Sequence, residues 1–146
     1  MTGKRDRQRG RVYAWENRVV APRDATFVPY PAAQAMVDAI WSEMGLCYPP
    51  AVAPLPRQAS ATVASADRLS IFLPSQTQSW LVIHEIAHAM TSTADGSSDG
   101  HGEIFMGVYV PLLVRYLRLD RDQLLASLQE DGIAIAVDAR PMFIDA

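Results

Sequence analysis

The chain has 146 residues, 49% of them hydrophobic, with a formal net charge of −3, which suits one globular domain with a sizeable core. It contains no run of 18 apolar residues that could span a membrane, its polar and basic N-terminus lacks the apolar stretch of a secretory signal, and its single cysteine, Cys47, excludes an internal disulfide or a cysteine-based metal cluster. These features point to the cytoplasm and to no membrane partner.

Lys4, Arg5, Arg7 and Arg9 stand against Asp6 in the first ten residues, and Arg11 follows. Residues 1–10 are read as a basic flexible arm and residues 11–146 as a single domain. The arm has no interleaved aromatic residues for stacking on bases, which favours a frayed, solvated terminus over a nucleic-acid contact. Residues 11–20, with Val12, Tyr13, Trp15, Val19 and Val20, suggest a first strand. Met36, Val37, Ile40, Trp41 and Met44 recur at helical spacing, and Pro31 and Gly45 suit the start and end of that helix.

Pro49, Pro50, Pro54 and Pro56 forbid a helix and make residues 48–56 an extended connector. Residues 59–64 and 68–73 read as two short strands joined by Ser65, Ala66 and Asp67. In the second, Leu69, Ile71 and Leu73 alternate with Arg68, Ser70 and Phe72. Ser75 and Gln78 have the spacing of a capping box for a helix running to about Thr91. A polar, Gly-rich loop spans residues 92–100. Ile104, Phe105, Val108, Leu112 and Leu113 predict a helix from about residue 101, which Gly107 and Pro111 should kink or interrupt. Asp120 with Gln123 caps a further helix, ended near Gly132, and an extended tail carries Ile133, Ile135 and Val137.

The chemistry concentrates in the apolar helix around residues 80–91, where His84, Glu85 and His88 form His-Glu-x-x-His. Residues four apart share a helix face, so two imidazoles can aim at one zinc ion. Glu85 can then take a proton from a zinc-bound water. A catalytic zinc takes three protein ligands, and His101, the chain's third and last histidine, can complete the set. Asp99 and Glu103 are expected not to. Burying two histidines and a glutamate without such a partner would cost several kcal/mol, about 2–7 for each unpaired polar group. Thr91 and Ala94 stand where a metzincin needs Gly and His, which excludes that class.

His84-Glu85-Ile86-Ala87-His88 followed by His101-Gly102 and Phe105 resembles the motif of the SprT-like zinc metallopeptidases. The opening Arg5-Asp6-Arg7-Gln8-Arg9, Val12-Tyr13 and the Ile71-Phe72-Leu73-Pro74 strand make the whole chain similar to a family of small metallohydrolases from high-GC Gram-positive bacteria. The resemblance implies an α+β, zincin-like core, with a small antiparallel sheet packed on the metal helix and further helices. It also implies His84, His88 and His101 as metal ligands and Glu85 as general base. The cysteines of the zinc ribbon that some SprT-like proteins carry are absent, so DNA targeting by such a module is not expected.

The chain is therefore expected to be a zinc-dependent metallopeptidase acting on peptides or unfolded proteins. Its rivals are a zinc hydrolase of another bond and a non-catalytic module stapled by zinc. Tyr109 and Arg115 are candidates for stabilising an oxyanion. Ser70 and Phe72 are candidate substrate contacts on the assumption that residues 68–73 lie at a sheet edge, where a peptide can pair with free backbone groups.

Overall fold

A computed structural model describes residues 6–55 and 64–141. The predicted strand over residues 11–20 is instead helical. α1 (Arg9–Trp15) runs on through a π-helical turn, Glu16–Val20, and a 3-10 turn, Ala21–Arg23. Val12, Trp15, Glu16, Val19 and Val20 are its buried residues. Their spacing is that of a helical stripe, and packing of this stripe overrides the strand preference of Val, Tyr and Trp.

β1 (Phe27–Pro29) leads into α2 (Tyr30–Glu43), where Ala33, Val37, Ile40 and Trp41 face the core. Gly45 ends α2 with φ +77°, a conformation that glycine adopts without strain. β2 (Ala51–Pro54) forms from the proline-rich connector, and β3 (Ser65–Ala66), β4 (Ser70–Leu73) and β5 (Gln76–Gln78) follow. The predicted strand over residues 59–64 lies, apart from Ala64, outside the described residues.

The fold class is α+β, but the sheet is not purely antiparallel. β2 pairs with β4 in parallel and β3 with β4 antiparallel, in the order β2-β4-β3; β1 and β5 make a separate antiparallel pair. The outer position of β2 tolerates Pro54. β4 is thus the central strand, with Ile71 and Leu73 in the core, and the edge placement assumed for it is wrong. Asp67 opens the β3–β4 turn, its Oδ1 accepting from the Leu69 and Ser70 N–H groups, both at 2.9 Å.

α3 (Ser79–Met90) carries the His-Glu-x-x-His stretch, and it is buried nearly all round. The expected capping box does not form, because residues 76–78 pair as β5. The cap comes from far away in sequence: Asp24 Oδ2 accepts from Trp80 N at 2.7 Å, and the Thr26 carbonyl accepts from Ser79 N at 3.1 Å. Asp24→Ala should therefore destabilise the fold by about 1–2 kcal/mol, and Asp24→Asn by less, since an acceptor remains. Chemical denaturation midpoints measure this; a midpoint unchanged in Asp24→Ala would reject the capping role.

α4 (Glu103–Leu117) packs along α3 and runs through Gly107 and Pro111 without interruption. Gly107 has another purpose. A side chain there would run into the Ala136 carbonyl oxygen and come within 2.6 Å of the Ala139 Cβ, so glycine lets the C-terminal segment lie against α4. α5 (Arg121–Glu130) is capped as predicted, Asp120 Oδ1 accepting from Gln123 N at 3.1 Å. Among the described residues, no helix is long and apolar enough to cross a membrane.

Candidate metal centre

α3 places His84 and His88 on one face, and the turn entering α4 brings His101 against them. Their Nε2 atoms form a triangle of 3.1 Å (His84–His88), 3.1 Å (His88–His101) and 3.3 Å (His84–His101). Phe105 holds the rings in place. It stacks on His88 at 4.3 Å and 27° and meets His84 and His101 edge-on at 5.1 and 5.2 Å.

Two of the rings are also held from behind by carboxylates that sequence reasoning did not assign to the site. Glu16, in the π turn after α1, lies against His84 Nδ1, and its Oε2 accepts from the Tyr109 hydroxyl at 2.7 Å. Asp6 Oδ2 lies 2.7 Å from His101 Nδ1, and its Oδ1 accepts from the His101 N–H at 3.2 Å. Gly100 makes room for it: a Cβ there would sit 2.7 Å from Asp6 Oδ2. Gln8 Nε2 adds a bond to the His101 carbonyl at 3.0 Å. Asp6 and Gln8 thus contact the site and Arg9 already begins α1, so the flexible-arm boundary at residue 10 does not hold for residues 6–10; residues 1–5 lie outside the described residues.

Burial dominates the electrostatics. It lowers His84 to about 3, with the His101 charge adding to the effect, and it pushes His88 well below the ordinary histidine range. Neutral imidazole is the form that binds a metal. Burial raises Glu16 to about 8, opposed by the bond from Tyr109. It raises Glu85 to about 8 as well, with Glu16 adding to the rise. A cation among them would draw both carboxyls back toward the ionised form.

These residues fit a divalent metal. If His84 and His101 give their Nδ1 hydrogens to Glu16 and Asp6, both Nε2 atoms carry lone pairs. With both rings neutral, the 3.3 Å edge between them has no hydrogen, whatever the tautomer of His88. A cation resolves that clash. Tetrahedral zinc with Zn–N of about 2.0–2.1 Å separates its nitrogens by about 3.3–3.4 Å, close to the triangle found. His84, His88 and His101 could together hold a metal ion.

Glu85, 4% exposed, lines a cleft of about 820 Å³ together with His84 and His88. Asp99 and Glu103 sit elsewhere. Asp99 caps α4, accepting from Ile104 N at 2.8 Å and Phe105 N at 3.2 Å, and Glu103 is exposed in the first turn. Tyr109 is wholly buried behind His84, so it supports Glu16 and is not a surface that substrate can touch. Arg115 lies over Tyr116 with its guanidinium 3.9 Å from Glu43, away from the cleft. Ser70 and Phe72 do not line the cleft either; Ser65 and Ala66 of β3 do.

Glu16 left a trace in the sequence, as the one charged residue on the apolar stripe of Val12, Trp15, Val19 and Val20. Asp6 left none, since an acid in a basic run reads as solvated. Comparison with known proteins adds no neighbour: no family model matches the chain, and neither does any curated protein or solved structure.

Proposed function

We propose that this chain is a zinc metallopeptidase with a zincin-like core, in which His84, His88 and His101 hold the ion and Glu85 is the general base. The observation that supports it best is the convergence of the three Nε2 atoms beside a cleft that also receives Glu85. The ion, when bound, supplies Lewis acidity that activates water and polarises a carbonyl.

The chain's own groups do the rest. Burial strengthens Glu85 as a base, so its carboxylate can accept a proton from the attacking water and return it to the leaving amine. Glu85 is not needed to hold a metal, and burying it costs stability, which favours a catalytic role over a zinc staple. Phe105 and the carboxylates behind the rings keep the histidines in one orientation.

The docking strand moves from β4 to β3. Among the described residues β3 pairs only with β4, so its outer side, at the cleft, is the edge where an extended peptide can add backbone hydrogen bonds. Such pairing reads backbone more than side chains, so unfolded protein with little sequence preference is the proposed substrate.

Purified zinc-loaded protein should cleave an unfolded protein, leave the same protein intact when folded, and lose activity to a chelator. Cleavage of esters or nucleic acid alone would move the assignment to another bond. Zinc binding with no hydrolysis of any of these would leave the ion a structural role.

A further inference from the structure

We propose that Asp6 and Glu16 are positioning residues of the metal centre: each accepts the Nδ1 hydrogen of one histidine, fixing the tautomer that turns its Nε2 toward the ion. The inference rests on the metal-site reading above and extends the site to the N-terminal segment, which lies 68 residues before His84 and 95 before His101.

Three observations carry it. First, the pairing is selective: Asp6 meets His101 at Nδ1 and Glu16 meets His84 at Nδ1, while the Nε2 atoms of both rings face the triangle. A ring bonded to a carboxylate through one nitrogen presents the other as a bare lone pair, and such partners typically strengthen metal binding about 10–100-fold. Second, the surroundings are built for these carboxylates. Glu16 is 2% exposed, stands where the helix widens into a π turn, and has Tyr109 to hold it; Asp6 lies where residue 100 has no side chain to meet it. π turns often occur where function displaces a side chain from helical register. Third, the charges are complementary. Asp6 and Glu16 behind the rings place negative charge beside three imidazoles that bring none of their own to a divalent cation, and such opposition is what a buried ion needs.

Asp6 offers the cleaner test, because its side chain is 28% exposed and its loss does not empty the core. Zinc affinity would be measured by chelator competition for the wild type, Asp6→Ala, Asp6→Asn and Glu16→Gln in the full chain. The visible spectrum of bound cobalt would report the ligand geometry, and melting of the metal-free proteins would report the fold. Asp6→Ala should bind zinc about 10–100-fold more weakly with altered cobalt bands, while its metal-free melting temperature stays near that of the wild type. Asp6→Asn and Glu16→Gln, which keep an acceptor oxygen, should lose less. Unchanged affinity and an unchanged cobalt spectrum in Asp6→Ala would overturn the positioning role while leaving the three-histidine site standing. A wild type that binds neither zinc nor cobalt would overturn the metal site itself.

Discussion

Replacing His101 with alanine is expected to reduce bound zinc from about one ion per chain to a small residue, because two imidazoles on one helix face leave half of a tetrahedral shell to solvent. Glu103→Ala should keep the ion, since Glu103 is exposed and outside the cluster. Asp99→Ala should keep it as well, while losing about 1 kcal/mol of stability with the α4 cap. Metal content after gel filtration separates these outcomes. A second signature lies in thermal stability. Zinc binds only the folded arrangement that joins α3 to the start of α4, so free zinc at about 100 times its Kd should add roughly 2.7 kcal/mol and raise the wild-type melting temperature. His101→Ala should lose most of that rise. Zinc retained by His101→Ala and lost by Glu103→Ala would reverse the ligand assignment.

Glu85→Gln should abolish hydrolysis while leaving the protein folded and loaded. The amide matches the carboxylate in size and cannot take a proton, so the rate should fall by about 10²–10⁴-fold, the usual contribution of a positioned base. Zinc content should stay at the wild-type level, because Glu85 is not among the three converging ligands. Stability should hold or rise, since burial already disfavours charge at this position. A variant that loses its zinc would make Glu85 part of the metal's support, and one that stays fully active would show that no base acts from this position.

The limits of local reasoning are visible at β4. Alternation in residues 68–73 identifies a strand and places Ile71 and Leu73 toward the core, but nothing in that stretch says how many neighbours it has. Leu69, which continues the same alternation, is 62% exposed because the turn held by Asp67 has not yet become strand. Residues 51–54, part of the proline-rich connector, supply the parallel neighbour that makes β4 central. The cap of α3 repeats the lesson: Ser75 and Gln78 have the right spacing, but Asp24 and Thr26 occupy the helix start because β1 pairs with β5.

What the sequence determines alone is periodic and local. Four-residue spacing sets His84 and His88 on one face, Pro31 and Gly45 bracket α2, and Asp120 caps α5, because each depends on backbone geometry within a turn or two. The tertiary structure alone decides what stands behind the histidines. Glu16 reaches His84 because a helix that resembles a strand in composition packs its stripe inward, and Asp6 reaches His101 because the segment before that helix folds back across Gly100. A hydrogen bond needs only that two atoms meet, and across 68 or 95 residues that meeting is set by the packing of the whole core, which no local pattern records.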